Sequence, residues 1–178
     1  AAKPAPKAEV KAVEIPLDDA WADVVKVPLS SSDRSTLQAF LDRWARSEGT
    51  PFPYNPDPVS DPVAIRSALG LRPGARLVAA FTNSAWDMAV VDRDVGFASM
   101  FDWIFTLVDY ARGHPEIDLV VRAHPAEVKV PPELQSRPPV VAEIRRRYPS
   151  LPANIALVDG HSAMNSYALA DIADVAMV

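Results

Sequence analysis

Three observations predict an α/β fold built on a doubly wound, mostly parallel sheet. From Arg76 onward, short apolar runs alternate with longer stretches whose apolar residues recur at helical spacing. The runs are continuous, as in LVAAF at 77–81 and the IDLVV of 117–121, which suits strands buried on both faces. The second run also ends abruptly in Arg122, His124, Pro125 and Glu127. Ligands of open α/β sheets collect there, just beyond the carboxyl ends of the strands.

Residues 1–12 are rich in Ala, Pro and Lys and read as a flexible tether. Residues 13–75 read as a helical and proline-rich region. Ser30 to Asp33 offer capping side chains for a helix whose apolar residues are Leu37, Phe40, Leu41 and Trp44, with Gly49 as its stop. The prolines at 51–58 remove so many N–H donors that this stretch should lie extended as a surface strap. Asp61 then fits a cap, Pro62 the first helical position and Gly70 the stop of a helix over 63–69.

Residues 76–178 carry the sheet. The strand at 77–81 precedes a helix lined by Phe97, Met100, Phe101, Ile104, Leu107, Val108 and Ala111. His114-Pro115, following Gly113, reads as the end of that helix. A strand at 117–121, a helix at 140–148 between prolines, a strand at 154–158, a helix at 165–173 and a final strand-like run at 174–178 complete the alternation. The expected strand order is 3-2-1-4, with a pocket opening between strands 1 and 4. The last run stops without turn residues, so the sheet is expected to continue past the fourth strand, the chain being a truncated piece.

Composition excludes several classes. At 49% hydrophobic and 23% charged residues, the chain is neither disordered nor low in complexity. A net charge of −5 offers no general attraction to nucleic acid, and Arg145, Arg146 and Arg147 fit the solvated face of a helix. No stretch reaches the roughly 18 apolar residues of a membrane span. The absence of cysteine fits a reducing compartment, and cytoplasm is the expectation. Three scattered histidines do not suggest a metal.

Parallel strands should bring three loops together: Thr82-Asn83-Ser84, Arg122 to Glu127, and 159–166. Helix N-termini beside them would add unpaired N–H groups suited to phosphate. Neither the glycine fingerprint of dinucleotide-binding folds nor the phosphate loop is present, which argues against dehydrogenases and kinases.

Phe81-Thr-Asn-Ser-Ala-Trp-Asp87, Ser99-Met-Phe-Asp-Trp103, Val121-Arg-Ala-His-Pro-Ala-Glu127 and Asn165-Ser-Tyr-Ala-Leu-Ala170 together resemble bacterial capsule polysaccharide biosynthesis glycosyltransferases, over roughly residues 30–178. The resemblance implies the GT-B architecture of two facing Rossmann-like domains, with this chain as part of the C-terminal, donor-binding one. It implies that His124 and Pro125 contact the phosphate of a CMP- or UDP-linked sugar donor, and that Ser166 contributes to the pocket. A glycan acceptor and the catalytic base would belong to the companion domain, and the fragment alone would be inactive. No cofactor beyond the donor is implied. The setting would be cytoplasmic, at the inner face of the membrane, with peripheral association.

Each site residue has a second reading. His124 fits a ligand contact or a backbone cap, Arg122 a phosphate partner or an ion pair, and Glu127 a ribose contact, a support for His124 or a solvated carboxylate. Trp86 and Asp87 fit an interdomain cleft, or packing and a helix cap. Two other functions share the pattern: a UDP-sugar 2-epimerase-like enzyme and a noncatalytic Rossmann-like assembly module.

Overall fold

The computed structural model describes residues 22, 24–46, 48, 55, 57–84 and 96–178. Its contacts divide the chain into two units, residues 1–40 and 41–178. The boundary falls inside helix α1 (Ser31–Ala45), so Asn55 and the next helix belong with the sheet. Ser30 and Asp33 cap α1 reciprocally: Ser30 Oγ accepts the Asp33 N–H, and the Asp33 carboxylate accepts the Ser30 N–H. The apolar residues Leu37, Phe40 and Leu41 remain exposed on it, and no residue of α1 is buried. Its predicted stop, Gly49, lies outside the described residues, as do residues 1–12, the prolines at 51, 53 and 56, and Trp86 and Asp87.

Helix α2 (Pro62–Leu69) follows the local chemistry closely. The Asp61 carboxylate accepts the Ala64 N–H at 2.8 Å, Pro62 opens the helix, and Gly70 closes it at φ 63, a left-handed conformation that favours glycine. Then come β1 (Arg76–Phe81), α3 (Met100–Gly113), β2 (Ile117–Arg122), α4 (Val140–Arg147), β3 (Ile155–Val158), α5 (Ser166–Ile172) and β4 (Val175–Met177). The four strands form one parallel sheet in the order β3-β2-β1-β4, as the alternation predicts. This is an α/β, Rossmann-like arrangement.

Side chains alternate between the two faces of the sheet. Ala80, Leu119 and Val121 pack with Ile104, Val108 and Ala111 of α3 and Val140, Val141 and Ile144 of α4. Leu77, Ala79, Val120 and Val158 pack on the other face with Ile65 of α2 and Leu169 of α5. Because helices cover both faces, β2 is buried from Asp118 to Arg122 and its sequence reads as one continuous run. Each fully buried Leu, Ile or Val contributes about 1.5–3 kcal/mol, so the sheet and its two helical layers stabilise one another.

The buried Asn154 closes the end opposite the candidate site. Its amide donates to the carbonyls of Ala111 at 2.9 Å and Ile117 at 2.8 Å, tying the end of α3 to the start of β2. His114 ends α3 as expected, with its ring stacked 4.0 Å from that of Tyr110. Arg145, Arg146 and Arg147 are exposed.

Candidate functional site

The hydrogen-bonded ladders run on past the carboxyl ends of the strands and carry the three loops with them. The Thr82 N–H donates to Arg122 O at 3.0 Å, and the Ala123 N–H donates to Val158 O at 2.8 Å. Buried Thr82 then accepts the His124 N–H on its Oγ1 at 3.3 Å, joining the loop after β1 to the loop after β2.

His124 stands at the mouth of a short 3-10 turn, Pro125–Glu127. Its Nδ1 accepts the Ala126 N–H at 3.1 Å, so in the neutral ring the proton lies on Nε2. The capping reading of this histidine therefore holds at one nitrogen. At the other it is an N–H donor on a ring whose orientation the turn fixes.

Two charged residues face the protein itself. Arg122 is 1% exposed, and its guanidinium donates to the carbonyls of Ala123 at 3.0 Å and Asp159 at 2.5 Å, with longer bonds to Ser162 and Met164. Among the described residues its Nε has no partner. Burial holds its pKa below the ordinary arginine value. Glu127 is buried too, and its Oε1 accepts the Val140 N–H. It thereby caps α4, where Pro139 supplies no side-chain cap. Burial raises the Glu127 pKa, and the Asp159 carboxylate pushes the same way.

Among the candidates, the structure joins Thr82, Arg122 and His124 directly. Pro125 opens the 3-10 turn, half-buried, and Asn83 accepts the Ser84 N–H at 2.8 Å, with Ser84 buried. Ser166 is the half-buried first residue of α5, behind Asn165, whose Oδ1 accepts the Tyr167 N–H at 2.9 Å. The helix N-termini differ from expectation. Ser99 caps α3, Glu127 caps α4 and Asn165 caps α5, so each already has a side-chain acceptor where a phosphate was expected to bind.

Three further residues shape this edge. Gly160 sits where a Cβ would come within 2.7 Å of Val128 Cγ2 and 3.1 Å of His124 O, so any side chain there would press on Val128 and on the His124 turn. Its position just past an apolar run was the available signal. Lys129 Nζ donates to Asn55 Oδ1, fastening the β2 loop to that residue, while Val59 forms a parallel bridge with Met164 of the β3 loop. Asp159 accepts the N–H groups of His161 and Ser162 on one carboxylate oxygen. The pairing of Lys129 with Asn55, 74 positions away, has no sequence signal.

Among the described residues no three His, Asp or Glu side chains gather as a metal site, and no helix is long and apolar enough to cross a membrane. No family model, curated protein or solved structure matches the chain.

Proposed function

We propose that this chain is the donor-binding part of a nucleotide-sugar-dependent glycosyltransferase of capsule or surface polysaccharide synthesis, in the two-domain GT-B arrangement. The observation that carries the reading is the place of His124 at the carboxyl edge of a parallel sheet, its ring held through Nδ1 by the bond from Ala126. As the bond between sugar and nucleotide breaks, negative charge grows on the leaving phosphate. A donor already oriented toward that charge lowers the barrier without a protein nucleophile. Thr82, Asn83, Ser84, Pro125 and Ser166 would line the donor pocket. Arg122 and Glu127 would hold its loops from beneath. The acceptor site and base would come from the companion domain, so this chain alone should bind donor without transferring sugar.

A second reading, a noncatalytic assembly module, draws on the engagement of Arg122 and Glu127 with backbone groups. The two part on nucleotide binding. In the first reading, one of CMP, UDP or GDP at about 100 times its dissociation constant should stabilise the chain by roughly 2.7 kcal/mol. At roughly 2–4 °C per kcal/mol for a chain of this size, the melting midpoint should rise by several degrees. CMP is the expected ligand, ahead of UDP. His124→Asn keeps a side-chain oxygen for the Ala126 N–H but lacks the reach of Nε2, so it should lose most of the shift at little cost to the free midpoint. His124→Ala should lose the shift and also about 1 kcal/mol of stability with the cap. A panel in which no nucleotide moves the midpoint would favour the assembly module.

A further inference from the structure

Arg122 is unusual among the charged residues of this edge. It is fully buried, and among the described residues its hydrogen-bond acceptors are all backbone carbonyls, so no carboxylate is bonded to it to neutralise its formal charge. Carbonyl dipoles can solvate a guanidinium but leave its net charge in place, and in a low-dielectric interior that charge acts over a longer range than it would in water. The carbonyls belong to the two loops that frame His124. Asp159, exposed on the β3 loop, touches Arg122 through its backbone carbonyl, and its carboxylate accepts the His161 and Ser162 N–H groups of the same loop.

We propose that Arg122 and Asp159 together set the charge preference of this edge. Arg122 is a positioning residue: from beneath the loops it fixes their geometry and favours an anionic group, of the phosphoryl kind, against the His124 face. Asp159 opposes that attraction and limits how tightly the anion is held, as a pocket that must release a more highly charged product requires. The proposal rests on the reading of this edge as a nucleotide site and adds to it where the selectivity for charge originates.

Isothermal titration of the 178-residue chain with CMP and cytidine, and with UMP and uridine, measures that preference as the ratio of nucleotide to nucleoside affinity. Asp159→Asn is the cleanest variant, because the retained side-chain oxygen still accepts from His161 and Ser162 while the charge is gone. It should raise the ratio by roughly 3- to 10-fold with nucleoside affinity unchanged. Arg122→Gln should lower the ratio by about tenfold, and Arg122→Lys should recover much of it. If Arg122→Gln does not fold, the Asp159→Asn ratio decides alone. An unchanged ratio in Asp159→Asn overturns the proposal, as does a parallel loss of nucleotide and nucleoside binding in Arg122→Gln, which would make the arginine structural only. Tight nucleotide binding with an unaltered ratio removes this inference and leaves the functional reading standing. Failure of every probe to bind the unaltered chain removes both.

Discussion

Glu127 shows how a single residue links burial, capping and pH. Its carboxyl pKa is held above the ordinary value of 4.5 chiefly by burial, against the opposing effect of the Val140 N–H. A raised folded-state pKa means that the folded protein holds this proton more tightly than the unfolded chain does. The resulting stabilisation is fully present below the ordinary value and is lost as pH rises through the folded one. Glu127→Gln keeps an oxygen for the Val140 N–H and does not titrate. The melting midpoint of the unaltered chain should therefore fall relative to that of the variant as pH rises above about 4.5. A difference that stays flat or rises over that range would contradict the buried, capping carboxyl. The same contact gives Glu127 a structural partner at Oε1, the first residue of α4.

At the scale of elements, the site depends on two loops in close approach at Gly160. Gly160 allows the β3 loop to lie on the 3-10 turn of His124, while Arg122 bonds the same loop from the β2 side. Gly160→Ala adds one methyl group 2.7 Å from Val128 Cγ2 and close to the His124 carbonyl. Val128 must move, and the backbone carbonyl can relieve the contact only by shifting the turn. We expect a loss of roughly 1–3 kcal/mol by chemical denaturation and a weaker nucleotide shift than in the unaltered chain. Full retention of both would mean that the turn is not held by this contact.

For the sheet as a whole, β4 is the element that most needs a neighbour. Among the described residues it pairs with β1 alone, over Val78 to Ala80, and Val175 and Ala176 are exposed on it. An edge strand with apolar side chains and unpaired backbone groups is a template for another strand. The 178-residue chain should therefore show concentration-dependent self-association in light scattering. Val175→Lys should reduce it without lowering the melting midpoint, because a charge on the exposed edge opposes pairing and disturbs no buried contact. A chain that stays monomeric up to high concentration would show that this edge is already blunted.

The sequence by itself determined the elements and their order in the sheet, because those depend on local patterns. Asp61, Pro62 and Gly70 specify α2 within ten positions, and the continuous runs at β1 and β2 announce strands covered on both sides. The parallel order β3-β2-β1-β4 follows from the alternation of strands and helices. The sequence also located His124 at a strand end, where its ring caps the turn that follows. It left open which groups Arg122 and Glu127 bond, and only the tertiary structure decided that. Both stand at the same strand end and look alike as candidates for ligand contact. Their partners arrive from elsewhere in the chain: Val140 lies 13 positions from Glu127, and Met164 lies 42 from Arg122. Whether a charged side chain turns to a ligand or to the backbone depends on which carbonyls and N–H groups packing leaves unpaired beside it. That balance exists only once the loops have met.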